Sequence, residues 1–277
     1  MRRFLIVAVV TALTLAAAPA ALARTQTAHA GAVSATFSFS GQYPDYSGLH
    51  LTISRAGAVA YSAPVSAPVC GHQCAPGAVG RHASSVHLID LDATGERNVV
   101  LDLYTGGAHC CFIEQVFSFD AARSTYTRAQ HDFGDPGARI VDLGHDGRYE
   151  FLTADDAFAY EFTDFATSGL PIQVLSFTGG RFDNVTDSYP ALIDRDAAIW
   201  LRAFKHMARG HYADSVGVIA AWVADEYRLG RQAQADRYLR AQARAGHLNS
   251  VLEGAKGSGM RFVAGLDRFL RRLGYLR

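Results

Sequence analysis

Lysine is nearly absent from this chain of 277 residues. Lys205 and Lys256 are the only two, and arginine supplies the rest of the positive charge. Heavy use of alanine and arginine follows from GC-rich codons, so a bacterial source is expected. An excess of either charge is also missing. Lys plus Arg and Asp plus Glu number 26 each, which removes the electrostatic case for binding nucleic acid or an anionic membrane. No G-x-S-x-G elbow, H-E-x-x-H pair or phosphate-binding loop occurs, so those hydrolase, zinc-protease and nucleotide signatures are excluded. Beyond the N-terminus no apolar run is long enough to cross a bilayer, which takes roughly 20 residues.

The N-terminal run is of a different kind. Arg2 and Arg3 precede an apolar stretch from Phe4 to Ala18, and Ala21-Leu22-Ala23 is a small-x-small cleavage site. That is the pattern of a secretory signal peptide spanning 1–23. Residues 24–32 then read as a flexible mature N-terminus. Removing the leader leaves a slightly acidic chain with no transmembrane segment, long enough for one large domain or two modest ones.

Export changes the meaning of the four cysteines, Cys70, Cys74, Cys110 and Cys111. In an oxidising compartment they read as disulfides, and four cysteines allow three pairings. On an extended strand Cys110 and Cys111 would point to opposite faces. The turn suggested by Gly106-Gly107 relaxes that objection, so the pairing stays open. A second reading is a zinc or copper site made from the cysteines with His72 and His109. The spacing fits no standard zinc pattern, and a Cys–His nucleophile lacks a visible third orienting residue.

From Val33 to about Tyr189 the chain alternates apolar and polar residues or runs through β-branched and aromatic ones broken by glycine. Ala56-Gly57 reads as a hairpin turn. Two segments repeat. The first opens with "LIDLDATGERNVVLDL" and closes with "QVFSF"; the second opens with "IVDLGHDGRYEFLTAD" and closes with "QVLSF". Asp90 aligns with Asp142 and Gln115 with Gln173, with a short insertion in the second unit. Each opening loop spaces oxygen ligands around a glycine, as calcium loops do. The first offers Asp90, Asp92, Thr94 and Asn98; the second offers Asp142, Asp146 and Glu150, with Gly144 at a ligand place.

On these residues the stretch from about 86 to 189 resembles FG-GAP or VCBS type repeats of secreted proteins, whose loops look like D-x-D-x-D-G-x-x-D/E. The resemblance implies calcium. Thr94, Asn98 and Gly144 depart from the pattern, so affinity should be weak, roughly 10⁻⁴ to 10⁻³ M as in extracellular modules. A turn that keeps Asp and Gly for backbone geometry alone is the alternative. Two units cannot close a propeller of the usual kind, so a sandwich, a partial barrel or a blade-like stack covered by the C-terminal part is expected.

The stretch "ADDAFAYEFTDF" carries Asp155, Asp156, Glu161 and Asp164. It reads either as a strand with alternating faces or as the carboxylate source of a glycan hydrolase. After Pro190 the period becomes helical. Asp194 is expected as an N-cap and Gly210 as a stop; further helices close at Gly230 and Gly246, and a last one carries Phe262, Leu266, Phe269 and Leu273. The segment around Tyr227, Gly230 and Ala235 resembles one tetratricopeptide unit, too little for a solenoid.

The expected architecture is α+β by segregation. A mainly antiparallel β domain of two blade-like repeats (33–190) precedes an all-α helical domain (191–277). The expected function is an exported, non-enzymatic binding or structural protein with an extracellular protein or glycan partner, no nucleic acid, and weak calcium as the only cofactor. The alternatives are the glycan hydrolase acting through 155–164 and the soft-metal binder.

Overall fold

Alternating residues make the first sheet one-sided. In the computed structural model, which describes residues 23–71, 74–77, 83–210, 214–249 and 258–276, strands β1 (Ala23–Ala30), β2 (Val33–Gln42), β3 (Asp45–Arg55) and β4 (Ala58–Pro64) form an antiparallel sheet in chain order. Val33, Ala35, Phe37 and Phe39 of β2 face inward with Leu49, Leu51 and Ile53 of β3. The hairpin expected at Ala56-Gly57 is present, with both residues at positive φ, as a tight two-residue turn requires.

The region expected to be a flexible N-terminus is therefore an ordered edge strand. β1 pairs residue for residue with β2 from Ala23↔Ser40 to Ala30↔Val33. Its sequence hides this, because its side chains are exposed or half-exposed. Backbone pairing along an otherwise bare strand edge, not side-chain burial, holds it.

The two repeats form the next two sheets. β5 (Ala75–Pro76), β6 (Val86–Ile89), β7 (Asn98–Gly107), β8 (Cys110–Asp120) and β9 (Thr125–Asp132) make the middle sheet. β10 (Arg139–Val141), β11 (Glu150–Ala154), β12 (Ile172–Thr178) and β13 (Arg181–Asn184) make the third, again in chain order. Corresponding positions open β7 and β11, at Asn98 and Glu150. The middle sheet is covered on both faces. Leu101, Leu103, Ile113 and Phe117 pack toward the first sheet, while Val100 and Val116 pack toward Phe151, Leu175 and Phe177 of the third. A strand buried on two faces must be apolar at consecutive positions, which accounts for Val99-Val100-Leu101. The β region is three antiparallel sheets, and of the sandwich, partial barrel and blade-like stack expected it is nearest the stack.

The helical part holds α1 (Pro190–Arg209), α2 (Ser215–Arg228), α3 (Gln232–Arg244) and α4 (Met260–Arg272). The expected N-cap at Asp194 is corrected. α1 starts at Pro190, whose fixed φ and missing N–H suit the first helical turn. Asp194 lies one turn inside and pairs with Arg231 at 2.7 Å. α2 is buried from Ser215 to Tyr227, the mark of a central helix. Most of the loop before α4, at 250–257, lies outside the described residues. No described helix is long and apolar enough to cross a membrane.

The stretch 155–164 is not a strand. It makes single 3-10 turns at Asp156–Phe158 and, just beyond, at Phe165–Thr167. Phe158 and Phe162 leave the β region and pack edge-on against Phe269, with Phe162 also against Phe262 and Phe158 against Tyr275. The alternation that resembled a strand is a hook that seats the helices on the sheets.

Candidate functional site: aspartate loops and an aromatic hairpin tip

The two aspartate loops are built alike. Asp90 accepts the backbone N–H groups of Thr94 and Gly95 at 3.0 and 2.8 Å, and Asp142 accepts those of Asp146 and Gly147, both at 3.1 Å. Ala93 and His145 both sit at positive φ, as do Gly95 and Gly147. Asn98 accepts the N–H of Leu91, and Glu150 that of Leu143. Asp92 accepts from the Thr94 hydroxyl at 2.8 Å. The loops lie side by side: a Cβ on Gly147 would stand 3.8 Å from that of Ala93, and the Tyr149 N–H donates to the Leu91 carbonyl. The carboxylates of Asp90 and Asp142 thus already satisfy their own loops. Among the described residues no three His, Cys, Asp or Glu side chains stand as a metal-holding group. In the second loop, however, Glu150, Asp146 and Asp142 all act on the Tyr189 hydroxyl. Burial first, then these carboxylates, push it up to about 12.

The acidic stretch is spread over structural partners. Asp155 accepts from the Ala157 N–H at 3.1 Å and from the Tyr275 hydroxyl at 2.8 Å. Asp156 accepts the Asp135 N–H, and burial raises its carboxyl above the usual range. Glu161 faces Arg272 at 3.7 Å. Asp164 caps its 3-10 turn through Thr167.

The cysteines choose the local pairing. Cys70 bonds Cys74, and Cys110 bonds Cys111. No cysteine among the described residues is free. His72 lies outside the described residues. His109 is half-exposed and stacks on Phe165 with ring centroids 4.1 Å apart.

The second disulfide sits at the β7–β8 hairpin tip, where the strand register shifts between Tyr104 and Gly107. The Cys111 N–H donates to the Thr105 hydroxyl at 2.6 Å. Gly107 accepts no side chain, since a Cβ would lie 2.9 Å from the Cys110 carbonyl oxygen. The Tyr43 hydroxyl donates to the Gly106 carbonyl at 3.2 Å, and the Tyr104 hydroxyl to that of Gly107. Asp135 stands 4.0 Å from His109 Nδ1, and the Tyr160 ring lies edge-on to the imidazole at 6.2 Å. Sequence reasoning missed Tyr43, Asp135, Tyr160 and Phe165. They come from three separate segments, and only the oddity of "GGAHCC" pointed at the place where they meet.

Two further groups of buried acids escaped the sequence. His87 Nε2 lies 3.0 Å from Asp102, which raises the imidazole pKa. Burial, reinforced by Asp102, pushes the neighbouring Glu114 carboxyl well up. On the helical side, Asp225 is fully buried beside Asp196, and burial again drives its carboxyl well above the usual range.

No family model matches the chain, and no solved structure matches it. Two curated proteins are similar to part of it. A probable thylakoid lumen protein of Synechocystis sp. is 28% identical over 148 residues, covering 52% of this chain and 44% of that protein. An uncharacterized protein of Sinorhizobium fredii is 25% identical over 156 residues, covering 55% of this chain and 24% of that protein. The chain thus spans less than half the length of either curated relative that it is similar to.

Proposed function

We propose that this protein works outside the cytoplasm as a non-enzymatic binding protein. The observation that carries this is the hairpin tip, where remote segments hold aromatic rings outward while the carboxylates of 155–164 are used in holding the fold together. The N-terminal leader pattern, the paired cysteines and the likeness to a probable lumen protein support the compartment. The hydrolase alternative would need two of those carboxylates to leave their partners. The soft-metal alternative would need both cysteine pairs reduced. Expression with the native leader tests the reading. The exported protein should begin at Arg24 and be lighter than its reduced form by about four hydrogens, for two disulfides. Retention in the cytoplasm with free thiols would overturn it.

A second reading, weak calcium in the second loop, rests on the three carboxylates that this loop keeps, Asp142, Asp146 and Glu150. One variant separates ion from turn. Asp142→Ala removes the acceptor of two backbone N–H groups and should cost about 1–2 kcal/mol in urea unfolding even with a chelator present. Wild type should gain stability in millimolar calcium while Asp142→Ala does not. No gain in wild type removes calcium and leaves the self-capped turn.

A further inference from the structure

Six large hydrophobic side chains are exposed among the described residues, and two of these are aromatic: Tyr43, 62% exposed, and Tyr160, 56% exposed. Both stand at the same hairpin tip. Tyr43 follows β2 and reaches the tip through its hydroxyl on Gly106. Tyr160 belongs to the hook after β11 and lies against His109 and Phe165. Nothing in the chain order brings these tyrosines together. Tyr160 also sits at φ +59°, a conformation unfavourable for a bulky residue and usually kept only where its surroundings impose it.

We propose that this tip is a binding platform for a neutral saccharide chain. The inference rests on the extracytoplasmic binding reading above and gives it a ligand class. A pyranose ring has an apolar C–H face and a rim of hydroxyls. Exposed tyrosine rings offer an apolar face with a polar edge, and the His109 imidazole and Asp135 carboxylate offer a donor and acceptors. Gly106 has no neighbouring atom within 4 Å of where a Cβ would stand, so the space beside this glycine is open.

Other ligands fit less well. An extended peptide would need free backbone groups, but Gly107 pairs with Cys110, and tyrosine hydroxyls occupy the carbonyls of Gly106 and Gly107. An anionic ligand would meet Asp135, and no lysine or arginine is among the side chains described at the tip. The Cys110–Cys111 bond joins chain neighbours and closes no long loop, so it restricts the unfolded chain little. Its effect is local: it fixes the turn from which His109 projects.

The test uses the purified mature chain in affinity electrophoresis and calorimetry. The probes are soluble β-1,4-glucan, β-1,3-glucan and the hexasaccharide of N-acetylglucosamine, with polygalacturonate as the anionic control. At least one neutral probe should bind, and the anionic one should not. Tyr43→Ala and Tyr160→Gly should each weaken binding at least tenfold. Tyr160→Gly should keep or raise the melting temperature, because glycine takes positive φ without strain, so lost binding could not be blamed on unfolding. Val59→Ala, at an exposed site on the first sheet, should bind as wild type does. The platform is overturned if no neutral probe binds at millimolar concentration, or if binding survives both tyrosine substitutions. Correct export with two disulfides but no saccharide binding would sink the platform alone and leave the broader reading standing.

Discussion

Replacing Gly217 by alanine is expected to destabilise the protein by about 2 kcal/mol, although alanine is the better helix former. Gly217 lies in the first turns of α2 with an ordinary helical backbone. A Cβ there would stand 2.5 Å from both the Thr163 methyl and the Thr167 carbonyl oxygen. Gly169 answers it from the hook: its own Cβ would stand 2.8 Å from that of Ala221 and 2.9 Å from the Gly217 carbonyl oxygen. The hook can approach α2 this closely only because neither Gly169 nor Gly217 carries a side chain at the crossing. Helix propensity would return about 1 kcal/mol. Overpacking against a backbone oxygen costs about 3 kcal/mol, since the chain itself must move. Urea unfolding measures the difference. A Gly217→Ala protein as stable as wild type would mean that the helices do not seat on the sheets through this contact. Tyr160 shares the hook, so the same variant should also perturb the hairpin tip.

Asp225→Asn should have the opposite sign at neutral pH, a gain on the order of 2 kcal/mol. Asp225 is fully buried on α2, at hydrogen-bonding separation from Asp196 of α1. Asp196 already accepts from the Ile172 N–H at 2.9 Å and from the Trp200 indole N–H at 2.8 Å. With both carboxylates ionised, neither oxygen of Asp225 has a donor. A proton on Asp225 turns it into a donor to Asp196. Burial first, then the charge of Asp196, raises its pKa, and Arg228 opposes this in part while Glu226 adds to it. A raised folded-state pKa gives stability that is complete below the unfolded value, near 3.9, and is lost as pH rises through the folded one. Asparagine keeps the donor at every pH. The gain should therefore be present at pH 7 and vanish near pH 3.5. A variant no more stable than wild type at pH 7 would show that the pair bears its charge without cost.

Much of the architecture was legible because it follows from periodicity. The pattern of β2 and β3 is one-sided and reads as such. The consecutive apolar residues of β7 announce a strand buried on two faces. The equivalence of Asp90 with Asp142 survives as two loops with the same amide-capping pattern. Misreadings arose where local pattern and tertiary role diverge. β1 carries little hydrophobic signal because backbone pairing with β2 makes most of its contacts, and its side chains add Gln26 on the Ser85 N–H and Ala28 at the core edge. The 155–164 stretch alternates like a strand, yet its phenylalanines point into a helical core that follows later in the chain. Asp194 has the chemistry of a cap, but Pro190 starts the helix four residues earlier.

The sequence by itself determined the leader pattern, the repeat, the switch from strands to helices and the pool of cysteines, since each depends on residues close together in the chain. The tertiary structure decided the rest: that the first sheet joins the stack and that Asp225 meets Asp196. It also decided that Tyr43 reaches Gly106 while Asp135 and Tyr160 approach His109 at the same hairpin. These depend on residues far apart in sequence, and only chain packing sets the distances between them.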